Sequence, residues 1–175
     1  MKKLILGSAI VAVLGVASNA MAAPNTGTVN FTGSVSTATC EIGLQDSAGG
    51  NISSVNLGTL STANQDNGTA VVFKLVPQDQ ACLSKTAANI DWTSSTLHPA
   101  GITNATTGGT TAYLQVKATN ATQTDDAAFI KEGQTSFSYT GAKNSFDYSA
   151  QLVKPSAGAT AGAFSASASY VVTYK

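Results

Sequence analysis

The stretch Gly162-Ala-Phe-Ser-Ala-Ser-Ala-Ser-Tyr-Val-Val-Thr-Tyr-Lys175 decides how this chain is read. Phe164, Ala166, Ala168, Tyr170, Val172 and Tyr174 fall on every second position, with Ser165, Ser167, Ser169, Val171 and Thr173 between them. Side chains of an extended strand alternate between two faces, so this spacing predicts a strand with one apolar face that needs cover. Such a strand also carries two edges of backbone donors and acceptors, and both need partners. No later segment follows Lys175 to pair the second edge, and the expectation is a sheet short of one strand.

At the other end, Met1-Lys2-Lys3 is a basic start, Leu4 to Val16 is an apolar run, and Ala20-Met21-Ala22 has the small-x-small form of a signal-peptidase site. The apolar run is too short to span a bilayer, which takes roughly 20 residues. Residues 1–22 are therefore read as a signal peptide, cleaved after Ala22 or Ala23, and the remaining 153 of 175 residues as one exported domain. Without Lys2 and Lys3 the chain has seven Lys and no Arg against nine Asp plus Glu, a net charge of about −2. Nucleic acid is excluded as a partner class, because its binding needs clustered positive charge.

Cys40 and Cys82 are the only cysteines. In an exported chain an isolated pair is read as a disulfide before a metal site or a nucleophile. Closing a loop of this length removes denatured-state entropy worth roughly 4 kcal/mol.

Between the ends the pattern is extended throughout. Val29, Phe31, Gly33 and Val35 alternate with Asn30, Thr32 and Ser34, behind a polar Ala23–Thr28 leader. Further strands are predicted at Ile52–Leu57, Thr69–Val76, Ala88–Ser94, Ala112–Lys117, Thr135–Tyr139 and Ser145–Val153, with a turn cluster at Asp46–Asn51 and loops at His98–Gly101 and Thr106–Thr110. No segment after the signal has helical period, and the fold class is all-β, a sandwich.

Chemistry is sparse. His98 is the only histidine and sits beside Pro99 in a turn-rich loop, so no catalytic set is assigned. Asp125-Asp126 lacks the spaced oxygen ligands of a calcium site and is read as a solvated turn. Trp92 is read as a core residue rather than a sugar-stacking platform. The Asn-x-Ser/Thr triplets at Asn30, Asn51, Asn67, Asn104 and Asn120 follow from composition. No catalytic residue, cofactor or metal is assigned.

Both ends of the chain resemble one family. The signal, the leader feeding Gly27-Thr-Val-Asn-Phe-Thr-Gly-Ser-Val35, the cysteine closing that strand, a second cysteine after Val-Val-Phe-Lys-Leu75, and a glycine fourteenth from the end before alternating apolar residues and a penultimate Tyr174 are similar to the pilin subunits of chaperone–usher fimbriae, of the type 1-like major kind. The resemblance implies an incomplete immunoglobulin-like β-sandwich that lacks its C-terminal strand and is completed by a donor strand from another subunit. It implies three segments: the signal 1–22, a donor extension 23–35 and a pilin domain 36–175. Val29, Phe31, Gly33 and Val35 would be the donor residues. The groove and chaperone-binding strand would be Gly162, Phe164, Ala166, Ala168, Tyr170, Val172, Tyr174 and Lys175. The implied partners are other pilin subunits in a homopolymer, a periplasmic chaperone, an outer-membrane usher and, through the filament, a host receptor. The implied location is the bacterial surface, reached through the periplasm. The alternatives are a minor or adaptor pilin, or a single-domain adhesin binding a host glycan or receptor.

Overall fold

The computed structural model describes residues 26–35, as backbone, together with 40–63, 66–141 and 143–175. The signal 1–22 and residues 23–25 and 36–39 lie outside the described residues. In chain order the strands are β1 (Thr26–Val35), β2 (Ile42–Asp46), β3 (Ser54–Thr59), β4 (Val71–Pro77), β5 (Ala87–Thr93), β6 (Leu97–His98), β7 (Gly101–Thr103), β8 (Tyr113–Ala118), β9 (Ser136–Thr140), β10 (Phe146–Val153) and β11 (Phe164–Tyr174). They form two sheets, one ordered β3-β1-β11-β5-β9 and the other β2-β4-β10-β8-β7-β6. The all-β sandwich expected from the alternation is the fold observed.

Period two explains how each strand is seated. In β10, Phe146, Tyr148, Ala150 and Leu152 are buried while Asp147, Ser149 and Gln151 between them are half-buried. In β8, Leu114, Val116 and Ala118 are buried, and in β5 so are Ala88, Ile90 and Trp92. These inward rows meet in one core that also holds Phe73, Phe137 and Tyr139. Phe73 stacks on Tyr148 at 5.3 Å between ring centroids, and Trp92 meets the same ring edge-on at 5.2 Å. Aromatic pairs in this geometry add to the energy of burial itself.

Local chemistry turns the chain between strands. The Asp46–Asn51 cluster is a turn as expected, with Asp46 Oδ1 accepting the backbone N–H groups of Ala48 and Gly50, both at 2.9 Å. Several regions differ from the sequence reading, β2 at Ile42–Asp46 among them. His98–Gly101, read as loop, lies within the short β6–β7 hairpin, in which Leu97 faces Ile102. A single helical turn, α1 (Gln80–Leu83), carries Cys82 where no helical period was evident. Both are too short for periodicity to reveal, and long-range pairing or a covalent link holds them. The disulfide between Cys40 and Cys82 is present, with Cα atoms 6.0 Å apart.

Candidate functional site

The alternating row in β11 behaves as read. Phe164, Ala166, Ala168, Tyr170 and Val172 are buried, and Ser165, Ser167 and Ser169 are exposed. One edge of β11 pairs antiparallel with β5, from Ser169 opposite Thr93 to Tyr174 opposite Ala88.

The other edge was expected to stand open for a strand from a second chain. In this structure it is occupied from within: β1 pairs with β11 in parallel, from Gly27 opposite Phe164 to Val35 opposite Val172. On its far side β1 pairs antiparallel with β3, with Val29 opposite Val55 and Asn30 opposite Ser54. The leader is thus the strand that joins β3 to the rest of its sheet. The physical reason is connectivity, because a segment that chemically fits the slot is covalently attached close to its mouth.

Without β1, the backbones of β3 and β11 would face each other across two strand spacings, about 9–10 Å. Val55 and Leu57 of β3 and the apolar row of β11, all buried, would line that slot. At three of the four donor candidates the register sets a larger residue opposite a smaller one. Val29 lies opposite Ala166, Phe31 opposite Ala168, Gly33 opposite Tyr170 and Val35 opposite Val172. The four donor candidates therefore fall at the level of four buried groove positions, and the glycine faces the bulkiest of them.

Gly162 sets the start of β11. Its φ of +150° is a conformation that favours glycine, and a Cβ there would lie 2.8 Å from the carbonyl carbon of Gly109 and 2.7 Å from the backbone nitrogen of Thr110. Asn104 holds this corner together. Its Nδ2 donates to the carbonyls of Thr110 and Ala163 at 2.9 and 2.8 Å, and its Oδ1 accepts the N–H of Ser165 at 2.9 Å. Sequence reasoning saw only a glycosylation-type triplet at Asn104, and nothing local marks it as a clamp on the start of β11.

At the other end Tyr174 and Lys175 run past the last residue paired with β1. The Lys175 backbone N–H donates to the Ala87 carbonyl at 2.9 Å, while its side chain is exposed. Tyr174 packs near Phe146, 6.3 Å between centroids, and its buried hydroxyl has no hydrogen-bond partner among the described residues. Burial pushes that hydroxyl up to about 12.

The other candidates have structural surroundings. Trp92 is buried, and its Nε1 donates to the Tyr148 hydroxyl at 3.1 Å, as fits a core residue. His98 is exposed, and its Nδ1 accepts the Ala100 N–H at the β6–β7 turn. Asp126 pairs with Lys131, and among the described residues no group of three His, Cys, Asp or Glu is arranged to hold a metal ion.

No family model matches the chain. It is 39% identical to the K99 fimbrial protein of Escherichia coli over an alignment of 186 positions that covers 99% of each chain.

Proposed function

The chain belongs to the chaperone–usher fimbrial subunits, and from that premise we propose that it is the shaft subunit of a surface fimbria and polymerises by passing its leader into the groove of the next copy. Membership makes it a structural subunit rather than an enzyme, located in a surface fimbria and associated with other subunits. One observation supports the finer reading: residues Gly27–Val35 pair with β11 over nine consecutive register positions, between β3 and β11. The same leader presented by another copy would offer the slot the same residues. In the filament, the leader of one subunit fills the groove of its neighbour, a form of strand addition for which chaperone–pilin complexes are an established instance. Val29 and Phe31 are its main apolar plugs, each worth roughly 1.5–3 kcal/mol when fully buried. Each copy offers one leader and one groove, so a head-to-tail contact need not close on itself and a filament grows.

The same reading assigns the earlier steps. The signal 1–22 is removed on export, a periplasmic chaperone holds the Phe164–Tyr174 strand and the Lys175 carboxylate, and an outer-membrane usher orders the handover. Adhesion is then a property of the assembled filament.

Deleting residues 23–35 tests this. The shortened subunit is expected to bind its chaperone and to fail to extend a fibre. Fibres of normal length from a strain producing only that subunit would refute the donor role.

A further inference from the structure

The loop between β3 and β4 holds the only Asn-Gly pair of the chain, Asn67-Gly68. Asparagine is a chemically labile residue, and most so before glycine, where no side chain shields the next backbone nitrogen from the carboxamide. In that reaction Gly68 N bonds to Asn67 Cγ, the Cγ–Nδ2 bond breaks, and the proton lost from Gly68 N leaves with the side-chain amide as ammonia. Water then opens the cyclic succinimide. Cleavage at Cγ gives aspartate, and cleavage at the main-chain carbonyl gives isoaspartate, in which the chain runs through the former side chain.

In the folded chain both reacting groups are engaged at the end of β10. The Gly68 N–H donates to the Leu152 carbonyl at 2.8 Å, so the nitrogen that would attack is committed to β10. Asn67 Oδ1 accepts the Lys154 N–H at 3.1 Å, which fixes the carboxamide that would be attacked. The Gly68 carbonyl accepts Gln151 Nε2 at 2.8 Å and holds the same peptide from its other side. Gly68 is buried although Asn67 is exposed, and a Cβ on Gly68 would lie 3.3 Å from both the Cβ and the carbonyl oxygen of Leu152. Close backbone approach favours the glycine, and the Lys154 N–H gives the asparagine its place. The labile pair is therefore a by-product of the clasp that restrains it.

We propose that Asn67 is a self-modification site kept silent by its clasp on β10: the folded subunit retains the amide, and a chain whose clasp is open converts it to aspartate or isoaspartate, with water as the only co-reactant. Either product adds a negative charge to the loop. Aspartate still offers an oxygen to the Lys154 N–H. Isoaspartate lengthens the backbone before Gly68 by a methylene and takes Gly68 out of register with Leu152. A chain that lingers open is thereby marked covalently and returns with a weaker hold on the end of β10. Asn144, followed by the small Ser145, supplies the contrast, since it is exposed just before β10 and has no such clasp among the described residues.

The test incubates the chain without residues 1–22, its disulfide intact, in mildly alkaline buffer, folded in one sample and unfolded by guanidinium in another. The mass gain of amide-to-acid exchange and the isoaspartate content are then mapped peptide by peptide. Asn67 is expected to react faster than Asn144 in the unfolded sample. In the folded one it should be slowed at least roughly tenfold, because three hydrogen bonds must open together. Asn144 should be slowed less in the same tubes. Gln151→Ala removes one bond of the clasp and should speed Asn67 in the folded protein while leaving Asn144 unchanged. Reaction of folded Asn67 at the unfolded rate would overturn the proposal, and so would equal slowing of Asn144, which would assign the protection to folding at large. An unchanged Asn67 rate in folded Gln151→Ala would also count against the clasp. Should that variant fail to fold, the wild-type comparison decides by itself.

Discussion

The hydroxyl of Tyr139 on β9 donates to the hydroxyl of Tyr148 on β10 at 2.7 Å, a bond that crosses the core from one sheet to the other. The Tyr148 oxygen also accepts the Trp92 indole N–H, so one buried oxygen links β5 and β9 of one sheet to β10 of the opposing sheet. Burial raises both tyrosines well above their usual range and keeps them as neutral donors. Tyr148→Phe keeps the stacking on Phe73 but removes the shared acceptor. The expected cost is about 1–3 kcal/mol, read as a fall in Tm of roughly 2–4 °C for each kcal/mol in a chain of this size. Tyr139→Phe should cost less, because the Tyr148 oxygen keeps the Trp92 bond. Equal Tm values for wild type and Tyr148→Phe would remove the bridge from the account of stability.

Gly162 and Gly158 both have positive φ, +150° and +87°, but only Gly162 stands against another backbone. Gly158→Ala meets open space and should cost on the order of 1 kcal/mol in conformational strain. Gly162→Ala must also push Gly109 and Thr110 aside, adding about 1–3 kcal/mol. It should lower Tm more than Gly158→Ala does, and the reverse order would mean that the corner yields without cost.

Alkaline pH should unfold the protein through its tyrosines. Tyr174 titrates at about 12 when folded against about 10 in the unfolded chain, and Tyr170 is shifted in the same direction by burial. A raised acid holds its proton more tightly in the folded state, so its contribution is complete below about pH 10 and is lost as pH climbs through 12. Tm followed from neutral pH upward should be level at first and then fall between about pH 10 and 12, with tyrosinate absorbance rising as unfolding proceeds. A Tm that is flat across that window would contradict the burial of these hydroxyls.

Replacing Cys40 and Cys82 together by Ala should cost roughly 4 kcal/mol through the freed denatured chain. The loss is read as a fall in Tm of roughly 2–4 °C for each kcal/mol, and equal Tm values for the two proteins would mean that the disulfide constrains little of the denatured chain.

Much of the fold could be read without coordinates, since alternation is a local property. The buried rows of β8, β10 and β11 start and stop within one or two residues of the expected segments, because each strand has one covered face and period two follows directly. Trp92 was legible as core for the same reason. The β6–β7 hairpin and α1 were not, since two or three residues carry no period. Asn104 was not legible either, because its partners Ala163 and Ser165 lie 59 and 61 residues further along, at the start of β11.

The sequence by itself determined a cysteine pair, an all-β pattern, and a terminal strand with an alternating apolar row. Each of these depends on residue type and spacing along the chain. Only the tertiary structure decided which strands flank the leader, that it lies parallel to β11 in its own subunit, and that Gly33 faces Tyr170. Strand direction and neighbour are properties of long-range pairing, and an alternating sequence reads the same in either direction through a slot.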